Sequence, residues 1–242
     1  MSTDCLFRED SYLQDCSATV VGLTEAGGVV LDRTVFYAAS GGQPADRGVL
    51  TTATGDAIAI ANVGYTNAAK SEIAHLPAVT TGPQLKVGEP VQAAIDWSLR
   101  YARMRMHTAL HLLSAVLPYP VTGGAVGDSE GRLDFDIPEA GLDKAELTEK
   151  LNALVARDAP VGERWITDAE LEANPGLVRT MAVKPPIGTG KVRLVVIGEN
   201  GSVDLQPCGG THVRRTGEIG RIVVTKIEKK GKLNRRIRVS FA

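Results

Sequence analysis

The amino-acid sequence predicts an α+β protein with two parts, a small N-terminal β-barrel domain over residues 1–92 and an α+β domain over residues 93–242. Two observations predict this fold class. Short segments rich in Val, Ile, Thr and Ala recur between turn-forming residues in the first part, at the spacing of about 8–12 residues that is typical of small barrels. Near Asp96 this pattern gives way to a long stretch without Gly or Pro, which predicts a helix.

Gly, Asn and Pro separate the short strands predicted for the barrel. These strands are Ala18–Val21, Gly28–Asp32, Gly48–Thr51 and Ala57–Val63.

Three helices are predicted in the second part. The first runs over Trp97–Leu117 with Asp96 as its cap, the second over Leu142–Arg157 with Asp143 as its cap, and a short third over Asp168–Ala173. The predicted strands are Gly131–Ile137, Val192–Ile197, Gly201–Leu205, Gly220–Lys226 and Arg235–Phe241.

Composition excludes several classes of protein. With 43% hydrophobic and 23% charged residues in 242, the chain falls in the globular range and outside the disordered one. No secretory signal or apolar stretch of about 18 residues is found, so we expect no membrane association. Three cysteines (Cys5, Cys16 and Cys208) are too few for a disulfide framework, and we expect a cytoplasmic protein.

The formal net charge of −1 conceals an uneven distribution of charge. Residues 200–242 contain ten Lys or Arg against three acidic residues, a net charge of +7, while the rest of the chain carries −8. A cluster of like charges can simply be a solvated face. It can also contact an RNA backbone, in which case Lys229, Lys230, Arg235 and Arg236 are the expected phosphate contacts.

A metal site is predicted from three of the four histidines and one cysteine. His107 and His111 lie four residues apart on the first predicted helix, so both imidazoles are on one face. Cys208 and His212 share a glycine-rich loop, and the combined N and S donors are those that Zn²⁺ prefers. Four protein ligands would close a tetrahedral site, whereas catalytic zinc keeps one position open, and the sequence does not decide between these. His75 has no partner motif and is expected at the surface or packed.

Several motifs occur in a fixed order along nearly the whole chain. They are Thr34-Val-Phe-Tyr37, Ser40-Gly41-Gly42-Gln43-Pro44, His107-Thr-Ala-Leu-His111, Gly123-Gly124-Ala-Val-Gly127, Gly131-Arg-Leu-Asp-Phe-Asp136 and Cys208-Gly-Gly-Thr-His212. Together they resemble the editing domain of alanyl-tRNA synthetases and its free-standing relatives, the AlaX proteins. Ala38 and Ser40 replace the Pro and Gly usual in the upstream motif. The resemblance implies the middle-sized type, a barrel plus an editing domain, without the C-terminal domain of the longer type.

The resemblance implies a zinc-dependent trans-editing hydrolase that deacylates mischarged tRNA(Ala), with Ser-tRNA(Ala) as the expected substrate and Gly-tRNA(Ala) as a second candidate. One Zn²⁺ per chain would bind His107, His111, Cys208 and His212, which are also the catalytic candidates. The acceptor stem and 3′ end of tRNA(Ala) are the expected partner, and neither ATP use nor aminoacylation is expected. The substrate contacts implied are Thr122, Gly123, Gly124, Gly41, Gly42 and Gln43.

Individual residues have simpler alternative interpretations. Thr122 and Gly41-Gly42-Gln43 could be turn residues only. Arg103 and Arg105 could contact a phosphate of the tRNA end or cover the helix surface. Asp134 and Asp136 could act as acid and base, although two solvated carboxylates on a strand are the favoured interpretation.

Three other functions fit these motifs. One is an editing hydrolase for another mischarged tRNA, since threonyl-tRNA synthetases carry a similar domain. Another is a non-catalytic, zinc-stabilised tRNA-binding module. A third is an aminoacyl hydrolase that acts on a non-tRNA ester.

Overall fold

The computed structural model describes residues 2–79, 84–137, 141–178 and 190–242. Two compact units make up the chain. The first combines Met1–Ser40 with Pro44–Tyr101, and the second combines Gly41–Gln43 with Ala102–Ala242. The Gly-Gly-Gln segment therefore groups with the second unit, although its neighbours in sequence belong to the first.

The first unit is built on a closed barrel of six strands in the order β2-β3-β7-β6-β5-β8, with β1 and β4 paired in parallel beside each other. The strands are β1 (Asp4–Cys5), β2 (Asp15–Leu23), β3 (Val29–Leu31), β4 (Arg33–Thr34), β5 (Gly48–Thr52), β6 (Ala57–Tyr65), β7 (Ile73–Pro77) and β8 (Pro90–Ile95).

Side chains along the barrel strands point alternately inwards and outwards, and the inward-pointing ones fill the barrel interior. On β6, Ile58 and Ile60 are buried, and a register shift between Ile60 and Asn62 changes the phase so that Val63 is buried next. His75 on β7 is fully buried, with Nε2 2.8 Å from the Thr34 hydroxyl and Nδ1 3.0 Å from the Val29 carbonyl. Of the two interpretations of His75, the structure supports the packed one.

Two antiparallel sheets form the framework of the second unit, with strand orders β14-β15-β10-β9 and β11-β12-β13. Their strands are β9 (Val121–Ala125), β10 (Glu130–Asp136), β11 (Val161–Ile166), β12 (Val192–Ile197), β13 (Asp204–Pro207), β14 (Ile222–Lys229) and β15 (Asn234–Phe241). Across the described residues of both units, four short 3₁₀ helices are present, at Leu6–Arg8, Pro175–Leu177, Glu199–Gly201 and Thr216–Ile219.

Three α-helices complete the described structure: α1 (Trp97–Val116), α2 (Lys144–Ala156) and α3 (Asp168–Ala173). The Asp96 carboxylate accepts a hydrogen bond from the Leu99 N–H at 3.1 Å, and the Asp143 carboxylate accepts one from Glu146 at 2.9 Å. Both predicted N-caps are therefore present, and each satisfies a backbone donor at the start of its helix. Helix α1 begins in the first unit and continues into the second from Ala102.

The predicted α+β class with an N-terminal barrel is confirmed. Six of the described strands were not predicted, namely β1, β4, β7, β8, β9 and β11. Within the described residues, no helix combines the length and apolar character needed to cross a membrane.

Candidate metal centre

The four predicted ligands come together in the second unit. The donor atoms of His107, His111, Cys208 and His212 all lie within 4.8 Å of one another. The Cys208 Sγ is 3.6 Å from the His107 Nε2 and 3.3 Å from the His212 Nε2. All three histidines are buried. Among the described residues, this is the one group of His, Cys, Asp and Glu side chains arranged to hold a metal ion.

Two elements far apart in sequence supply these ligands. Helix α1 places His107 and His111 one turn apart on the same face. The other pair lies in the loop that follows β13, where Gly210 packs so closely against His107 that a Cβ atom there would overlap the imidazole. Only glycine fits at this position, which explains why the loop can bring Cys208 and His212 to the helix.

Each histidine has a hydrogen-bonding partner at Nδ1, on the side away from the cluster. The His107 Nδ1 is 2.8 Å from the Gln43 side-chain oxygen, and the His111 Nδ1 is 2.8 Å from the Asp204 carboxylate. The His212 Nδ1 is 3.2 Å from the Thr108 hydroxyl. Such contacts fix the orientation of metal-bound histidines, and here they leave each Nε2 available for coordination.

Asp204 belongs to a buried polar network behind His111. Its carboxylate accepts hydrogen bonds from His111 and, at 2.7 Å, from the side-chain amide of Gln206. The same amide group of Gln206 lies 3.1 Å from the Ser114 hydroxyl. These side chains are buried, and their mutual hydrogen bonds offset the cost of removing them from water.

The electrostatics favour a thiolate among the ligands. Burial alone would raise the pKa of the Cys208 thiol, but the neighbouring His107 and His212 imidazoles lower it well below its ordinary value. Burial and the nearby His107 lower the pKa of His212 to about 3. Burial opposes protonation of His111, but its hydrogen bonds with Asp204 and Cys208 raise its pKa to about 10. Thiolate and neutral imidazole are the protonation states that bind metal, so a metal ion would have to displace the proton that His111 retains.

This donor set fits zinc. Imidazole nitrogen and thiolate sulfur are donor types that tetrahedral Zn²⁺ sites use, and four donors are present. The outward hydrogen bonds at all three Nδ1 atoms are the pattern expected around a metal-binding site. The residues present could therefore hold one such ion.

The Gly-Gly-Gln loop lies directly on the cluster. The Gln43 side-chain oxygen accepts from the Thr211 N–H at 3.1 Å as well as contacting His107, and its amide nitrogen donates to the Thr211 hydroxyl at 2.8 Å. Gly42 has a φ of +84° and lies so close to the Gly124 carbonyl that a Cβ would come within 2.9 Å of the oxygen. Both the backbone conformation and the close approach require glycine here.

Thr122, Gly123 and Gly124 lie on β9, beside this loop. The Val126 N–H donates to the Gly42 carbonyl at 2.8 Å, which ties the loop to the end of the strand. The Thr122 hydroxyl donates to the Asp134 carbonyl at 3.2 Å and accepts from the Asn234 side chain at 2.7 Å. Thr122 is thus part of the sheet formed by β9, β10 and β15, and not of a free turn.

Asp134 is not the solvated carboxylate favoured from the sequence. Its side chain is buried and forms two hydrogen bonds of 2.8 Å with Arg236 and one of 2.6 Å with Arg132. Hydrogen bonding to Arg236, opposed by partial burial, lowers its pKa below the ordinary value. A carboxylate held by two guanidinium groups is a poor general base, so this Asp pairs the sheet strands together. Asp136 is only partly buried.

Arg103 and Arg105, the two candidate tRNA contacts on α1, have protein partners. The Arg103 Nε donates to the Asp128 carboxylate at 2.7 Å, and Arg103 is largely buried. Arg105 donates twice to the Ile219 carbonyl, at 3.0 and 2.6 Å, and its guanidinium lies 4.1 Å from the centre of the Phe241 ring.

The other four candidates belong to the hairpin of β14 and β15. Lys229 and Lys230 are exposed, and Lys230 is 3.4 Å from the Glu228 carboxylate. Arg235 donates to backbone carbonyls of its own turn, while Arg236 pairs with Asp134. The lysines at the tip are therefore the more accessible cations of the set.

Sequence reasoning missed the residues behind the ligands. Asp204 and Gln206 precede Cys208 at intervals of two, and in a strand this spacing places them on the same face as the cysteine. This spacing is visible in the sequence and could have identified Asp204 and Gln206 as neighbours of the ligands. Thr108 and Thr211 lie inside the predicted motifs, but nothing in the sequence indicates which ring nitrogen or side chain they contact.

Two protein-family models match the chain. The second additional domain of threonyl and alanyl tRNA synthetases matches residues 192–238, and class II (A) tRNA synthetases match residues 11–99.

Curated relatives align with nearly the full length of the chain. The alanyl-tRNA editing protein AlaX-M of Methanosarcina mazei is 37% identical, covering 99% of this chain and 96% of its own length. The AlaX-M protein of Methanosarcina barkeri is 36% identical, with 97% of both chains covered. An alanine–tRNA ligase of Pyrobaculum calidifontis is 36% identical over 93% of this chain, which corresponds to 25% of the ligase.

Proposed function

Because this chain belongs to the family of alanyl-tRNA editing proteins of the AlaX-M type, we propose that it is a zinc-dependent hydrolase that deacylates mischarged tRNA(Ala). Ser-tRNA(Ala) is the proposed principal substrate and Gly-tRNA(Ala) a second one. The reaction adds water to the ester carbonyl and releases the free amino acid and the tRNA 3′ hydroxyl. Neither ATP nor aminoacylation is part of the proposal.

The observation that carries the proposal is the cluster of His107, His111, Cys208 and His212, with donor atoms within 4.8 Å. A zinc ion bound there would supply a Lewis acid for the ester carbonyl or for a water molecule. The chain's own contribution is to hold the ligands rigidly, through Gln43 behind His107 and Asp204 behind His111.

Selectivity is required because alanine and serine differ by one hydroxyl group. A synthetase pocket that fits alanine rejects serine poorly, so a second hydrolytic site that hydrogen-bonds this hydroxyl provides the discrimination. We assign this contact to Thr122, whose oxygen already donates once and accepts once and retains a second lone pair as an acceptor. Gly123, Gly124 and the loop Gly41-Gly42-Gln43 would line the same pocket.

The proposed tRNA contacts follow the accessibility of the cations. Lys229 and Lys230 are exposed at the hairpin tip and would bind phosphates of the acceptor stem. The guanidinium groups of Arg103, Arg105 and Arg236 hydrogen-bond to protein atoms. We propose that these three side chains stabilise the folded protein and do not bind the RNA directly. Arg235, bonded within the hairpin, would fix the turn that carries the lysines.

The test compares deacylation of Ser-, Gly- and Ala-tRNA(Ala) by the purified protein, with and without a zinc chelator, while the zinc content is measured separately. We expect rapid loss of the seryl and glycyl esters, little loss of the alanyl ester, and no activity after chelation. His111→Ala should lose both zinc and activity. His75→Gln is the matched control, because His75 lies in the barrel and outside the cluster.

The outcomes separate the alternatives. Mischarged tRNA(Thr) is assayed in parallel, and its faster deacylation than that of mischarged tRNA(Ala) would indicate a threonyl-type editing enzyme. Binding of tRNA without hydrolysis of any ester would indicate a non-catalytic module, and full activity in a protein shown to lack zinc would refute the metal dependence.

A further inference from the structure

One exposed aromatic side chain lies beside the metal centre without a role in it. Trp165 on the edge strand β11 is 48% exposed, although tryptophan is highly buried on average. Neither the motifs nor the hydrogen bonds of the cluster involve it. The position of Trp165 in the sheet indicates which part of a bound ligand its indole could contact.

The register of the small sheet places Trp165 in one row with a metal ligand. Trp165 is directly opposite Arg193 on β12, and the Cys208 N–H donates to the Arg193 carbonyl at 3.2 Å in continuation of β13. Trp165, Arg193 and Cys208 therefore form a row across three adjacent strands. Since neighbouring strands are about 4.8 Å apart, the Cα atoms of Trp165 and Cys208 are separated by roughly 10 Å.

All three side chains of this row project from the same face of the sheet. Residues directly opposite each other in a ladder share a face, as do residues two apart on one strand. Asp204 and Gln206 contact helix α1 through His111 and Ser114, so their face is the one that carries the metal centre. Trp165 is on this face, at its open edge.

Arg193 makes the connection between the two positions rigid. Its guanidinium donates to the carbonyls of Cys208 and Gly210 at 3.0 and 2.9 Å and forms an ion pair with Glu163, two residues before Trp165. The ligand loop and the strand that carries the indole are thus fixed to each other. A rigid aromatic surface next to a reaction centre is suited to positioning a flat ligand.

We propose that the Trp165 indole is the stacking platform for the terminal adenine of the tRNA 3′ end. This inference rests on the proposed function. The ester to be hydrolysed is on the ribose of the terminal nucleotide, so a carbonyl placed at the metal centre brings the attached base to within one sugar of it. Unpaired bases at RNA ends are bound by stacking on aromatic side chains.

The chain offers a direct reporter for this contact, because it contains only two tryptophans. Trp97 lies in the first unit and stacks on Tyr101, with 5.5 Å between ring centroids. In a Trp97→Phe background, all tryptophan emission comes from Trp165. The probe is an uncharged acceptor-stem microhelix that ends in CCA, compared with the same RNA carrying an abasic 3′ nucleotide.

We expect the CCA microhelix to quench Trp165 emission and the abasic RNA to leave it unchanged. In the chain with Trp97 intact, Trp165→Ala should weaken microhelix binding about 5- to 150-fold, the range for loss of one stacked base. Trp165→Phe should restore most of the affinity. With the seryl ester, Trp165→Ala should raise KM by a similar factor. The matched control is Leu23→Ala, which removes an apolar side chain 52% exposed on β2.

Equal quenching by both RNAs, or unchanged Kd and KM in Trp165→Ala, would overturn the stacking proposal. These results are distinguishable from failure of the proposed function, since the microhelix is not hydrolysed. If the CCA microhelix quenches Trp165 emission but no ester is deacylated, the proposed hydrolase activity is refuted and the stacking role of Trp165 is kept. If Trp165→Ala deacylates the seryl ester as fast as the wild type does, the stacking role is refuted and the hydrolase activity is kept.

Discussion

Replacing Asp204 by Asn isolates the negative charge behind one metal ligand. The Asp204 Oδ2 accepts from the His111 Nδ1 at 2.8 Å and from Gln206 at 2.7 Å, in a side chain that is 1% exposed. Asparagine has the same shape and can place its oxygen at the same point. Both hydrogen bonds are then kept, and only the charge is lost.

The expected magnitude follows from the role of such partners. Removing a hydrogen-bonding group behind a metal-bound histidine typically lowers metal affinity by 10- to 100-fold, or about 1.4–2.7 kcal/mol. Asp204→Asn, which retains the geometry, should lie near the lower limit of about 10-fold. Asp204→Ala removes the acceptor as well and leaves the His111 N–H without it, so we expect about 100-fold.

Zinc affinity is measured by competition with a chromophoric chelator, and the urea midpoint of each variant is compared to verify folding. Asp136→Asn is the control, because this carboxylate is partly buried on β10 and is not among the residues of the cluster. Zinc affinities within twofold of the wild type in both folded Asp204 variants would refute the assignment of Asp204 as a positioning residue for His111.

Three further predictions concern specificity, stability and RNA binding. Thr122→Val should reduce the ratio of seryl to alanyl deacylation rates by about 5- to 20-fold, as expected for loss of a hydrogen bond, whereas Thr122→Ser should retain this ratio. An unchanged ratio in the valine variant would refute the assignment of Thr122 to the serine hydroxyl. Burial lowers the pKa of His75 to about 4, below its value of about 6.5 in the unfolded chain, so between these pH values the unfolded chain binds one more proton than the folded one. The free energy of unfolding, measured with urea, should therefore fall by up to about 3 kcal/mol as the pH drops from 6.5 to 4. A His75→Gln variant should lack this loss, and identical pH profiles for the two proteins would contradict the reasoning. Neutralising Lys229 and Lys230 together should reduce the slope of log Kd against log salt for tRNA by about 2, and an unaltered slope would show that these lysines do not contact phosphates.

The ligands could be predicted from the sequence because each pair is local. His107 and His111 are one helical turn apart, and the helix itself follows from a long stretch without Gly or Pro after a capping Asp96. Local spacing then determines which side chains share a face. Cys208 and His212 lie four residues apart, and the intervening glycines indicate a tight loop.

The partners of these ligands are separated from them by long stretches of chain, and no local pattern predicts them. Gln43 is 64 residues from His107 and 168 from Thr211, and its contacts with both depend on tertiary structure. The sequence does not predict strand β9, because Gly123 and Gly124 weaken the usual strand signal. The glycines are needed there for close packing, with Leu133 beside Gly124 and the Gly42 loop against its carbonyl.

The charges around the cluster give a further argument for a divalent ion. Burial opposes protonation of His111, but its hydrogen bonds with Asp204 and Cys208 raise its pKa to about 10, so without a metal ion this imidazole carries a proton. That proton offsets part of the negative charge of the Cys208 thiolate and the Asp204 carboxylate, which would be very unfavourable if left uncompensated. Metal binding requires the neutral imidazole and would therefore release the proton. A divalent cation would then balance both negative charges, whereas a monovalent one would leave the site negative.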